Sequence, residues 1–234
     1  MITVAIDAAT DRLSVAARGP AGTTVERHLA GARGHARALL VLLEEVVGAV
    51  EGSAAAITRV IVADGPGSFT GLRVAATAAK AVVRTGKATL AATPSLLARA
   101  RKASGEPGLV LAAASALRGE VYAGWYHFGA DGRVAVVREA SAATFESVQG
   151  GPRPDLIAGD GPDGFLEALG RYWAAPVAPR EAAVADARAL LWLAEAPGGV
   201  TEIADPATWE PVYGRPAEAQ ARWEREHGRP LPHP

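Results

Sequence analysis

Cysteine is absent from the 234 residues. That omission excludes a disulfide scaffold, a thiolate zinc site, an iron–sulfur cluster and a cysteine nucleophile, and it fits a reducing compartment. A basic excess is missing too: 24 Lys plus Arg stand against 25 Asp plus Glu, a net charge of −1, so no global positive field holds nucleic acid. Lysine is confined to Lys80, Lys87 and Lys102 while alanine and arginine abound, which reads as genome composition rather than an RNA-binding signature. Long apolar runs are lacking. Gly108 to Leu117 falls well short of the roughly 18 residues of a membrane span. Met1-Ile2-Thr3-Val4-Ala5-Ile6-Asp7 has neither the basic start nor the greasy core of an export signal. The expectation is a cytoplasmic protein with no membrane contact. What is present, 49% apolar and 21% charged residues, is the balance of a folding globular chain rather than a disordered one.

Three short β-rich runs, Thr3–Ile6, Arg12–Ala17 and Thr23–Leu29, are separated by turn residues and predict an antiparallel meander. A helix from His35 to Val50, a strand Arg59–Ala63, a helix Gly71–Thr85, a strand Ala88–Ala92 and a helix opened by Thr93-Pro94-Ser95 follow. After the break at 104–108 the pattern restarts, with strands 109–114, 120–128, 134–140 and 155–158 and helices near 143–148 and 163–169. Val60 to Phe69 and Leu156 to Phe165 each carry a strand, an Asp-Gly-Pro turn and a Phe opening a helix. The reading is an α/β chain of two ribonuclease H-like lobes in actin-like ATPase (ASKHA) architecture: residues 1–104, residues 105–200, and a C-terminal segment and tail over 201–234. A helix from Glu181 to Ala196 is expected to pack back across the lobes, and a short helix is expected around Trp223.

The strongest local signal is Asp64-Gly65-Pro66-Gly67-Ser68-Phe69-Thr70-Gly71-Leu72-Arg73 between a strand and a helix. Its glycines permit tight backbone and Ser68 or Thr70 can cap the helix, whose N–H groups then face an anion. It lacks the Lys-Ser/Thr of a P-loop and the Gly-x-Ser-x-Gly of a hydrolase elbow, so a structural turn and an anion site both stay open. Asp7 and Thr10 in the first turn, with Gly65, Gly67 and Ser68, are the candidate nucleotide residues. The matching turn of the second lobe, 114–119, has no acid, leaving half of a magnesium cradle. His28, His35, His127, His227 and His233 show no i, i+3 or i+4 pairing, which argues against a helical metal site.

The helix over 35–50 carries two apolar stripes, more than one sheet face needs. The surplus, with the small residues of the helix over 71–85, predicts a seam for another subunit on His35, Leu39, Leu42, Leu43, Val46, Leu72, Ala75, Ala79 and Val82. The alternative is that the two helices satisfy each other within one lobe.

With Ile6-Asp7-Ala8-Ala9-Thr10, the Gly65–Arg73 block, Arg118-Gly119-Glu120-Val121-Tyr122 and Glu210-Pro211-Val212-Tyr213 in this order, the sequence resembles the bacterial TsaB (YeaZ) family over roughly residues 1–215. The resemblance implies a non-catalytic scaffold in formation of tRNA threonylcarbamoyladenosine. Such a subunit binds the paralogue TsaD, joins the ATPase TsaE, forms a homodimer in isolation and meets tRNA only indirectly. It implies no required cofactor, with ATP or ADP at the interface of the complex. The paralogue places a metal-binding pair of histidines about 30 residues after the Gly-Pro-Gly turn, where this chain has Ala91 to Ala98 without histidine. The chain departs from the family at Ser115 and Leu117, at Asp64 in place of a common non-acidic residue, and at Gly214-Arg215-Pro216. A small actin-like kinase or ATPase using Asp7, Thr10 and the Gly65–Gly71 turn is the competing reading. An RNA-binding stripe of Arg73, Lys80 and Arg84 is the third.

Overall fold

A computed structural model describes residues 1–31, 34–116, 119–214 and 227–228. The meander forms as expected: β1 (Ile2–Asp7), β2 (Arg12–Arg18) and β3 (Thr24–Ala30) pair antiparallel. Then come α1 (His35–Ala49), β4 (Ile57–Ala63), α2 (Phe69–Thr85), β5 (Thr89–Thr93) and α3 (Ser95–Ala103). The second half repeats the plan with β6 (Gly108–Ser115), β7 (Val121–Phe128), β8 (Val134–Ala143), α4 (Phe145–Gln149), β9 (Leu156–Gly159) and α5 (Phe165–Trp173). It closes with α6 (Ala187–Leu193) and β10 (Thr201–Ile203).

The sheets run β10-β5-β4-β1-β2-β3 and β8-β7-β6-β9. In both, the first strand of the lobe pairs antiparallel with its hairpin partner on one side and parallel with the strand after the first helix on the other. The strand order therefore repeats, as the duplicated sequence pattern requires. Central β1 and β4 read as nearly continuous apolar runs because both faces are covered. α1 and α2 cover the outer face of the first sheet, and α4 and α5 that of the second. α3 and α6 lie between the sheets in a shared core with Ala5, Ile61, Leu96, Leu97, Val110, Ala112, Tyr126 and Leu190.

One expectation changes. The helix across the lobes is shorter than 181–196 because Asp186 caps it, Oδ1 accepting from the N–H groups of Arg188 and Ala189. Residues 180–183 before it make only a 3₁₀ turn. The C-terminal segment begins with a strand. β10 adds antiparallel to β5, registering Thr201 with Ala92, and Arg59 pairs with Glu202 across that edge. Trp209 then packs on the first lobe's core. The expected helix around Trp223 and the motif residue Arg118 lie outside the described residues.

Candidate functional site

Each conspicuous turn of the sequence lands between the lobes, but not all in one place. A cleft of about 560 Å³ is lined by Thr10, Gly67, Ser68, Arg99, Ser115, Tyr122, Asp160 and Arg180. Of the five candidate nucleotide residues, Thr10, Gly67 and Ser68 reach it. Asp7 does not: it is buried beneath the turn, with Oδ1 accepting the Ala9 N–H at 3.0 Å. Its burial raises its pKa, against the pull of Arg99 nearby. Gly65 opens on a different hollow on the far side of the turn.

The glycines of the block are used for close approach. A Cβ on Gly67 would lie 2.4 Å from the Ala9 carbonyl oxygen, and one on Gly71 would lie 1.9 Å from that of Ala8. The first hairpin turn thus sits on the start of α2, and the Ser68 N–H donates to the Ala9 carbonyl at 2.8 Å. Ser68 Oγ accepts the Gly71 N–H at 3.2 Å. Two of the donors at this helix start, the Ser68 and Gly71 N–H groups, are thus occupied by the turn's own acceptors. Gly65 has the same kind of role at φ +117°, where a Cβ would meet the Val212 carbonyl oxygen at 2.0 Å. Val212 N–H donates to the Asp64 carbonyl at 2.7 Å, and Tyr213 stacks at 4.6 Å on Phe69. The Gly65–Arg73 block and the Glu210–Tyr213 motif, far apart in sequence, are one structural unit.

Sequence reasoning missed the charged pair in the cleft wall. Arg99, on the buried face of α3, donates from Nη1 to Asp160 Oδ1 at 2.7 Å, while Asp160 Oδ2 accepts the Ser115 N–H at 3.1 Å. Asp160 was visible only as the second copy of the Asp-Gly-Pro turn, and nothing in the pattern tied it to an arginine 61 residues earlier. The pair fastens α3 to the end of β9. Replacing Arg99 by Met keeps the stem's packing but leaves Asp160 without its cation. We expect a loss of about 1–2 kcal/mol in urea unfolding, moderated because Asp160 reaches solvent.

The predicted seam residues divide differently from expectation. Leu39, Leu43, Val46, Leu72, Ala75 and Ala79 belong to the lobe's own core, and His35 is buried with its Nε2 3.2 Å from the Asp11 carbonyl. Only Leu42 and Val82 are partly accessible. The correction follows from helix phase: α1 turns His35, Leu39, Leu43, Val46 and Val47 to the sheet, which leaves Ala36, Leu40 and Val41 outward. Leu40 is 60% exposed and Val41 54%. An apolar groove of about 340 Å³ runs between α1 and α2, with Leu39 and Ala78 at its base and Leu40, Val74, Thr77 and Ala81 along it. The basic stripe is partly spent, since Lys80 pairs with Glu210 at 3.1 Å and lies over the Trp209 ring.

Among the described residues no helix is long and apolar enough to cross a membrane. Residues 29–171, more than half of the chain, match the family TsaD: tRNA N6-adenosine threonylcarbamoyltransferase. No curated protein matches the sequence significantly. A structure of YeaZ from Pseudomonas aeruginosa superposes with a TM-score of 0.76 at 25% identity, covering 91% of this chain and 99% of that one. A second structure, described as an uncharacterized protein with similarity to peptidase YEAZ from Pseudomonas aeruginosa, gives 0.76 at 23% identity over 92% and 99%. The two lobes are accordingly those of the actin-like fold. From its matched family, duplicated lobes and end-to-end likeness to YeaZ, the chain belongs to the TsaD family, in its YeaZ (TsaB) branch, with a role in the tRNA threonylcarbamoyl modification system.

Proposed function

We propose that the chain is a non-catalytic subunit that docks the TsaD paralogue through α1 and α2 and supports threonylcarbamoyl transfer to the tRNA adenosine beside the anticodon. The observation that carries this reading is the exposed apolar groove between those helices. It continues past Leu40 and Val47 into a second hollow of about 730 Å³ bordered by Val82. Apolar surface in a continuous strip is characteristic of a partner face. A non-catalytic role is supported by the want of histidine in residues 91–98. The burial of Asp7 away from the cleft, with its Oδ1 accepting the Ala9 N–H, supports the same reading.

In this reading the same strip forms a homodimer when TsaD is absent, TsaE joins at the seam, and any ATP or ADP belongs to the assembled interface. The tRNA is handled by the partner, and the chain works in the cytoplasm. Light scattering on size-exclusion peaks of the chain, alone and mixed with TsaD of the same genome, tests it. The expected result is a 1:1 complex formed at the expense of homodimer. Two folded proteins that never co-elute, with or without TsaE and nucleotide, overturn it.

A further inference from the structure

Two hollows make up the strip between α1 and α2. Ala36, Arg73 and Thr77 help to line one, Glu44 and Gly48 the other, and Leu40 borders both. Among the described residues, Arg73 and Glu44 are the charged side chains that line the strip. It is therefore apolar along its length but electrically polar, with a cation on one side of Leu40 and a carboxylate on the other. Both charged residues are exposed, and both are steered. The Arg73 guanidinium lies over the Phe69 ring at 5.3 Å, and Phe69 is stacked on Tyr213, so the arginine rests on an aromatic shelf at the mouth of the groove. Glu210, the acid of that shelf, accepts from Lys80 at Oε1, 3.1 Å, and from the Tyr213 hydroxyl at Oε2, 3.0 Å. On α1, Glu45 turns toward β3 and pairs with Arg27 at 3.8 Å, whereas Glu44 borders the second hollow.

Spacing along α1 decides what such a strip fits. Ala36, Leu40, Glu44 and Gly48 recur every four residues and share one face of the helix. A second α1 laid antiparallel over the first, with the two Leu40 side chains meeting on a two-fold axis, sets each residue beyond Leu40 level with the one equally far before it in the other copy. Glu44, about 6 Å beyond Leu40 along the helix axis, then comes level with Ala36 of the second copy, which shares its hollow with Arg73. The contact is made twice, because an isologous interface repeats every pair. With the copies parallel instead, Arg73 would meet the start of α1, where Arg37 is exposed, and like charges would face each other. Thr77 and Ala81 of α2 line the same groove and are small enough for helices to approach closely.

Resting on α1 and α2 as the docking face, we propose that the occupant of this strip in the isolated protein is a second copy of the chain, antiparallel at α1, and that reciprocal Arg73–Glu44 pairs fix its register and select it. Contact at Leu40 supplies affinity. The two charge pairs supply specificity, since a partner without an acid at this level leaves the Arg73 guanidinium desolvated and unpaired. The same chemistry describes any other protein that takes this face: an apolar helix carrying an acid one turn beyond its central apolar residue.

The test is charge reversal, read by sedimentation velocity of the full chain from about 1 to about 200 μM. Arg73→Glu sets acid against acid in a homodimer, and Glu44→Arg sets arginine against arginine, so each variant alone dimerises about tenfold or more weakly than the parent. Mixed in equal amounts, the two variants form a heterodimer in which every such contact again joins opposite charges, and association returns to within about threefold of the parent. Urea melts check that each variant is folded, and Leu40→Arg is run alongside. If Leu40→Arg abolishes the parent's dimer while the charge variants dimerise as the parent does, or fail to recover on mixing, the Arg73–Glu44 pairing is overturned and the docking face stands. A dimer that survives Leu40→Arg overturns the docking face and the pairing with it. A parent that stays monomeric over the whole range overturns the second copy as occupant and leaves the face to TsaD.

Discussion

We expect Leu40→Arg to abolish the proposed association with TsaD and to leave the lobe folded. Leu40 stands 60% exposed on the outer side of α1, beside the groove bounded by α2. In the free chain a long arginine there stays in water and costs little. In a docked complex the guanidinium is driven into an apolar seam, where Glu44 one turn along α1 offsets only part of the cost of desolvating the charge, a cost of several kcal/mol. The expected loss of affinity is a hundredfold or more, about 3 kcal/mol or above, with the unfolding midpoint within about 0.5 kcal/mol of the parent. The contrasting substitution is Leu39→Ala, one residue away and 1% exposed against the sheet. It opens a cavity and lowers stability by about 2–4 kcal/mol while leaving the outer face of α1 as it was. Light scattering with the partner, together with urea melts of the chain alone, separates the two effects. A folded Leu40→Arg variant that associates as tightly as the parent removes α1 from the interface.

Neighbouring leucines with opposite fates show where the sequence was legible and where it was not. The extent of α1 followed from periodicity nearly to the residue, because an apolar repeat of 3.6 marks a helix whichever side is buried. Its phase did not follow, because α1 carries apolar residues on both sides and only packing decides which stripe meets the sheet. Most of the nine residues assigned to the seam, Leu39, Leu72, Ala75 and Ala79 among them, are therefore ones that the lobe's own interior consumes, while Leu42 and Val82 stay partly accessible. The duplicated lobes were legible for a sturdier reason: strand–turn–helix units with an Asp-Gly-Pro turn recur about 100 residues apart, and handed crossovers restrict how such units assemble. β10 was missed. Three residues at the edge of a sheet carry almost no periodic signal, and Thr201–Ile203 becomes a strand only because β5 offers a free edge. The glycine-rich block was found but its use was not. That Gly67 and Gly71 make room for the Ala8 and Ala9 carbonyls is a long-range fact, supplied by a turn some sixty residues earlier in the chain. Arg99 with Asp160 was invisible for the same reason: spacing along a helix says nothing of what faces it across a cleft.

Asp64→Asn raises the stability of the protein near neutral pH, an unusual direction for a substitution. Burial is the chief cause that lifts the Asp64 pKa from 3.8 to about 6, and the charge of Glu139 adds to it. Because the folded-state pKa exceeds the unfolded one, the folded chain holds this proton more tightly. Its contribution favours folding at low pH, is lost as pH rises from about 4 through 6, and leaves the full cost of the bare carboxylate above that. The gap corresponds to at most about 3 kcal/mol, and partial access to water brings the expected gain for Asn to about 1–2 kcal/mol at pH 7. The difference between variant and parent in urea unfolding should therefore be near zero at pH 4 and grow to its plateau by pH 7. A flat difference, or a variant less stable at pH 7, contradicts the assignment of an uncompensated charge at Asp64.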